Sequence, residues 1–331
     1  MKEPAAVRPA GTPGVVITCG DPCGVGPELL VRVLGRRSLP ASVVRVAAPP
    51  RLLERVALEV VAATDRRTAE RFLGRLGTRF PLVPCPEPAI VRPGSWNEEN
   101  VPSSLSALEA ASGLALKEGA VLVTGPMDKR FFAAIGLRHG GHTEFLARFC
   151  GCPDEPLMWF DSQRVRVGLL TRHVPLSEVP ALVRPERLAR GVQLAEACVT
   201  RTSGSDTRPL AVAAVDPHCG EWGAIAPTDL QVRGWIDSLR ARGSLVEGPF
   251  SADTLFSRRS LERYSGILCW YHDQGMIPVK LLAFEQAVNV TLGLPLARTS
   301  AAHGVAYDIA WQGLASPSST LRALLFATQL G

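Results

Sequence analysis

Three short apolar runs, Val165–Leu170, Leu210–Val215 and Gly266–Tyr271, constrain the fold most, because each breaks off into a polar loop carrying a histidine within three residues. Runs of this length suit buried strands. Two of the loops lead into helix-like segments, Leu176–Val183 and Pro278–Phe284. Strands alternating with helices predict a layered α/β protein rather than a sandwich or a bundle. Upstream, Val15–Thr18 reads as a buried strand, and a helix over Ser104–Lys117 leads into another strand at Ala120–Thr124. Pro27-Glu28 should open a helix, with proline in the first turn and an acid at the positive end of the dipole. Residues 1–14 read as a loose Pro/Gly tail and 81–102 as an irregular, proline-laden connection. A chain of 331 residues has room for one large or two medium domains.

Composition removes several classes of function. Apolar residues make up 46% and charged residues 20%, a globular balance. No apolar run approaches the roughly 18 residues of a membrane span, and the opening Met1-Lys2-Glu3-Pro4 lacks a signal-peptide core. A cytoplasmic location without membrane attachment is expected. The net charge of +5 rests on scattered arginines, with four lysines, three tyrosines and no basic run of five. A nucleic-acid groove needs clustered charge and stacking platforms, so no nucleic-acid partner is expected. Eight cysteines include the pairs Cys19/Cys23 and Cys150/Cys152, but neither has a second pair at zinc-finger spacing. Reduced thiols are the expectation.

The chemistry concentrates at histidines. His173, His218 and His272 occupy equivalent places just past strand ends, where open α/β sheets bind ligands. Three imidazoles with open positions suit a divalent metal that also accepts substrate oxygens, though a single histidine is more often capped or buried. His142 lies in Gly140-Gly-His-Thr-Glu-Phe145, where glycines allow close ligand approach and where Thr143 could instead cap a helix over Glu144–Phe149. Lys280, Asn289 and Arg298, nine apart, offer a cation, an amide and a guanidinium fork for a phosphate or carboxylate. Surface solvation of the two cations and a turn at Asn289 are the alternatives. The loop Gly20–Gly26 fits neither the dinucleotide fingerprint nor a P-loop, and serves either a phosphate or a tight strand-to-helix turn.

These segments, in order, resemble one family. Ile17-Thr-Cys-Gly-Asp-Pro-Cys-Gly-Val-Gly-Pro-Glu28, Thr124-Gly-Pro126, Gly141-His-Thr-Glu-Phe145, Asp216-Pro-His-Cys-Gly-Glu221, Gly248-Pro-Phe-Ser-Ala-Asp-Thr254, Tyr271-His-Asp-Gln-Gly275, Asn289-Val-Thr-Leu-Gly-Leu-Pro295 and Arg298-Thr-Ser300 resemble the 4-hydroxythreonine-4-phosphate dehydrogenases of pyridoxal phosphate biosynthesis. The resemblance implies a two-domain α/β fold like that of isocitrate and isopropylmalate dehydrogenases, with the active site in the interdomain cleft. One domain would join residues 15–130 to 285–331, and the other would span 131–284 and carry the metal ligands and dimer interface. It implies a divalent metal (zinc, magnesium, cobalt or manganese) on His173, His218 and His272, and a small phosphorylated substrate on His142, Thr143, Lys280, Asn289 and Arg298. His303-Gly-Val-Ala-Tyr-Asp308 looks like that group's cofactor loop, with His303, Gly304 and Asp308 binding NAD. It also implies a homodimer whose subunits share the active site. The implied reaction is NAD-dependent oxidation of 4-phosphooxy-L-threonine followed by decarboxylation to 3-amino-2-oxopropyl phosphate. Asp216, Cys219, Cys19, Cys23 and Trp270 depart from the family's usual residues. They leave room for a relative acting on a sugar-acid phosphate or an aromatic dihydrodiol. A metal-dependent hydrolase would leave the His303 loop without a task.

Overall fold

The computed structural model describes residues 14–37, 39, 44–137, 140–152, 156–162, 164–204, 206–283 and 286–330. Residues 1–13 of the expected amino-terminal tail lie outside this set. The described strands, in chain order, are β1 (Val15–Thr18), β2 (Val44–Ala47), β3 (Val121–Thr124), β4 (Leu157–Asp161), β5 (Arg166–Leu169), β6 (Leu210–Ala213), β7 (Val246–Phe250), β8 (Gly266–Cys269), β9 (Val288–Leu292) and β10 (Arg298–Ala301). The chain divides into two compact units, Met1–Glu155 with Leu294–Gly331, and Pro156–Gly293.

In the first unit the strand order is β2-β1-β3-β10, all parallel. All four residues of β1 and of β3 are buried, as expected of a parallel sheet covered on both faces. The helix Val101–Glu118 packs its Leu105, Leu108 and Ala111 into the same core as Leu122, Phe131, Phe132, Phe145 and Leu146. Each such side chain contributes about 1.5–3 kcal/mol of burial free energy, so the segment 129–149 is tied to this core. That places the boundary after residue 155, not after the expected 130.

In the second unit the order is β9-β4-β5-β8-β6-β7. β4 runs antiparallel to both β9 and β5, and the β5-β8, β8-β6 and β6-β7 pairs are parallel. Five residues of β9 pair with β4 from Leu157↔Leu292 to Asp161↔Val288, which binds 288–292 to this unit and moves the second boundary from the expected 284/285 to 293/294. Trp159 and Trp270 are fully buried in this unit.

The loop Gly20–Gly26 resolves in favour of a tight turn. Asp21 N–H donates to the Pro126 carbonyl (2.9 Å), and Gly125 N–H donates to the Thr18 carbonyl (3.1 Å). Gly20 has φ +75°, and a Cβ there would sit 2.2 Å from the Pro126 carbonyl oxygen; one at Gly26 would sit 1.9 Å from that of Cys19. Close packing accounts for both glycines, Gly20 against the Gly125-Pro126 backbone and Gly26 against the Cys19 carbonyl.

Candidate functional site

In the second unit, adjacent parallel strands deliver the metal candidates. β5 and β8 leave the sheet side by side, with Leu170 N–H donating to the Cys269 carbonyl (2.8 Å) and Thr171 N–H to that of Trp270 (3.1 Å). The Thr171 hydroxyl also donates to the Trp270 carbonyl. The rings of His173 and His272 therefore lie with centroids 5.4 Å apart. His272 opens the helix His272–Ala283, and its Nδ1 lies 2.7 Å from Asp273 Oδ1. That contact orients the ring and leaves Nε2 for a ligand, the usual arrangement around a metal-binding imidazole.

His218 follows β6, the other neighbour of β8. Gln274 fastens this loop to the His272 turn: its Nε2 donates to the Ala214 carbonyl (2.7 Å), and its Oε1 accepts the Trp270 N–H (2.8 Å). Buried Asp229 accepts the Val215 and Asp216 N–H groups, both at 2.9 Å. Between these anchors the turn Pro217–Gly223 winds left-handed, with φ of +52° at His218, +56° at Cys219, +42° at Glu221 and +57° at Trp222. For non-glycine residues such a conformation costs about 1–2 kcal/mol each. Strain of this kind persists where the surroundings over-determine the backbone, often at functional sites. The Ser251 hydroxyl, donating to it, holds the Asp253 carboxyl below its ordinary value, with a smaller contribution from nearby His218. Among the described residues of one chain, no three histidine, cysteine or carboxylate side chains group closely enough to hold a metal. The structure thus brings together His173 and His272 but not the full trio.

Lys280 lies in the last turn of the same helix. Asn289 sits within β9, not in a turn, and its buried Oδ1 has no hydrogen-bond partner. Such an orphaned acceptor calls for a ligand or ordered water.

In the first unit, Arg298 opens β10 and is 4% exposed, which removes surface solvation as its role. Its Nε and Nη2 donate to Thr124 Oγ1 at 3.0 and 2.7 Å. Burial lowers its pKa to about 10, against an opposing pull from Glu144. Nearby His142 is half-buried, edge-on to Phe132 with centroids 5.1 Å apart. Burial first, then the charge of Arg298, hold its pKa well below the ordinary imidazole value, and its buried Nε2 has no hydrogen-bond partner. Thr143 is buried in the first turn of the helix His142–Phe149. It is not the cap: that place belongs to Gly141, whose N–H donates to Glu144 Oε2 at 2.8 Å, because the helix begins two residues earlier than a Thr143 cap requires.

His303, Gly304 and Asp308 are exposed on the loop after β10. Asp308 lies in a short turn, Tyr307–Ile309, and His303 Nδ1 is 3.0 Å from the Gly304 carbonyl. Sequence reasoning did not single out Gln274, Asp229 or Thr124 as positioning groups. Gln274 and Thr124 stand inside motifs already noted, but Asp229, a helix residue, carries no such signal.

The family model described as pyridoxal phosphate biosynthetic protein PdxA matches residues 37–327. The chain is 37% identical over 324 residues to 4-hydroxythreonine-4-phosphate dehydrogenase of Paracoccus denitrificans, covering 96% of this chain and 97% of that relative. Its fold matches the crystal structure of 4-hydroxythreonine-4-phosphate dehydrogenase from Klebsiella pneumoniae with a TM-score of 0.80 at 30% identity, over 97% of this chain and 98% of that one. A terephthalate 1,2-cis-dihydrodiol dehydrogenase from Burkholderia xenovorans shares the fold, with a TM-score of 0.66 at 22% identity over 96% and 98% of the two chains.

Proposed function

The chain belongs to the PdxA family of pyridoxal phosphate biosynthetic proteins, and we propose that it oxidises 4-phosphooxy-L-threonine with NAD and then decarboxylates the product to 3-amino-2-oxopropyl phosphate. One observation carries this reading: buried Arg298 stands beside a half-buried, neutral His142 whose Nε2 is enclosed and has no partner. A fixed cation next to an unsatisfied imidazole suits an anionic ligand that also hydrogen-bonds. Arg298 holds a phosphate or carboxylate through its planar fork, and His142 and Thr143 complete its hydrogen bonds. Lys280 supplies a point charge, and the orphaned Asn289 Oδ1 accepts from a substrate donor such as the amine.

The imidazoles of His173, His218 and His272 would hold a divalent cation: zinc and cobalt suit nitrogen donors, and manganese and magnesium, which prefer oxygen, suit them less. When bound, the cation supplies Lewis acidity toward the substrate hydroxyl and the charge that develops on loss of carbon dioxide. NAD, when bound, takes the hydride; His303, Gly304 and Asp308 would contact its adenosine end. The Asp308 carboxylate there opposes a 2′-phosphate, which favours NAD over NADP.

A homodimer with a shared site is part of this reading, and the divided trio supports it. His173 and His272 lie together in one chain, so His218 would come from a second copy. Exposed Trp222, Ile277 and Leu281 give such a copy apolar surface to cover. No helix among the described residues is long and apolar enough to cross a membrane. A cytoplasmic location belongs to the proposal through the family's biosynthetic role.

The test is NADH absorbance with 4-phosphooxy-L-threonine, its dephosphorylated form, a sugar-acid phosphate and an aromatic dihydrodiol, each with and without divalent metal. Metal-dependent turnover should be confined to the phosphorylated threonine. Preference for the dihydrodiol or sugar acid would refute the substrate, and hydrolysis without NADH would refute the reaction class.

A further inference from the structure

The exposed loop after β10 is fastened on its inner side to the turn after β1. Asp21 is fully buried there. Its Oδ1 accepts the Cys23 N–H at 2.9 Å, and its Oδ2 accepts the Tyr307 hydroxyl. Val25 N–H donates to the Val305 carbonyl (3.0 Å), and Trp311 Nε1–H to that of Pro22 (3.2 Å). Val25 and Leu29 share a small core with Ala310 and Ala315. Nearby Arg130 is occupied by a two-point pair with Asp128, at 2.9 and 2.8 Å, so it does not draw Asp21 away. Burial and the neighbouring Asp21 push the Tyr307 hydroxyl pKa up, which keeps it a donor. The loop also holds Ala306 at φ +43° and Trp311 at +62°, conformations that non-glycine residues leave readily unless restrained.

We propose that Asp21 and Tyr307 form a latch that positions the 303–308 loop for NAD, acting as positioning residues that touch neither cofactor nor substrate. The inference rests on the reading of that loop as the cofactor site. A backbone fixed before binding spares the cofactor the cost of ordering it. Tyr307→Phe removes only the hydroxyl. Asp21→Asn retains the latch with its polarity reversed: Oδ1 still accepts from Cys23, and Nδ2 donates to the Tyr307 oxygen.

The experiment measures NADH affinity by calorimetry for the wild type and both variants, alongside kcat, both KM values and melting temperature. Loss of a hydrogen bond to a carboxylate predicts that Tyr307→Phe weakens NADH binding by about tenfold. The KM for NAD should rise in step, with kcat at saturating NAD and the KM for the phosphorylated substrate held within about twofold. Asp21→Asn should stay within about twofold of the wild type throughout. Unchanged NADH affinity in Tyr307→Phe overturns the latch while leaving the cofactor reading standing. Equal weakening for NADH and substrate, together with a lowered melting temperature, reduces the pair to a structural contact and also overturns it. A wild type that does not bind NADH removes the cofactor reading itself, and the latch with it.

Discussion

His142 is kept neutral by its surroundings, and that has a thermodynamic signature. Its folded-state pKa lies well below the ordinary 6.5, so the unfolded chain takes up the proton first as pH falls. The residue's contribution is intact above about pH 6.5 and is lost progressively below it. His142→Gln should flatten the decline in urea midpoint between about pH 7.5 and about pH 5.5 relative to the wild type; parallel declines would mean that the imidazole is not buried neutral. Arg298 presents the opposite case, a charge retained in a buried setting. Replacing its fork by an ammonium forfeits the paired donation to Thr124. Arg298→Lys should lower catalytic efficiency on the phosphorylated substrate by about 2–4 kcal/mol of transition-state stabilisation, roughly 30- to 1000-fold. Retention of efficiency within a few-fold would remove Arg298 from the binding role.

At the level of elements, the left-handed turn Pro217–Gly223 invites a direct measurement of strain. Glycine adopts φ +42° freely, so Glu221→Gly should leave stability unchanged or raise it by up to about 1 kcal/mol, because relief of strain offsets the added freedom of the unfolded chain. The same exchange at exposed Gln231, inside the helix Thr228–Ala241, should cost about 1 kcal/mol. Equal losses at both positions, read by urea denaturation, would show that the turn is not strained. No local pattern announces such a turn, because Asp216-Pro-His-Cys-Gly-Glu221 contains a single glycine and the anchors that impose it, Asp229 and Gln274, lie elsewhere in the chain. The strands before these loops were legible: Leu210–Val215 and Gly266–Tyr271 contain β6 and β8, less the final residues that leave the ladder. The helix after β8 was read too late. The helix-like segment was placed at Pro278–Phe284, yet the helix begins at His272, since Gln274 reaches back to the Trp270 N–H and secures the opening turn.

For the whole molecule, residue order says little about which strands become neighbours. Periodicity located β5, β6 and β8, but only pairing sets them in the order β5-β8-β6, so that His173 and His218 follow the two neighbours of the strand before His272, and the ring contact forms between His173 and His272. The resemblance supplied the expectation of a shared site, and the divided trio makes it testable by mixing subunits. His173→Ala and His218→Ala should each be inactive alone. If His218 crosses between copies, a mixed dimer of the two variants regains one intact site of its two, and random refolding of an equal mixture should recover about a quarter of wild-type activity. No recovery would mean that the three histidines do not act across a dimer interface. Unit boundaries were the least legible feature, because they depend on which core Phe131, Phe132, Phe145 and β9 join, a choice made by long-range packing.

The second unit is a continuous stretch, Pro156–Gly293, whereas the first takes strands from both sides of it. On the ribosome, then, all of β4 to β9 has been synthesised before β10 exists, and Arg298 and the 303–308 loop emerge after nearly everything else. Domains tend to fold as they emerge. A chain released before residue 298 carries every metal candidate but neither the buried guanidinium nor the fastened loop. Premature termination in this architecture yields fragments that retain histidines able to sequester metal but lack the anion and cofactor groups needed for turnover.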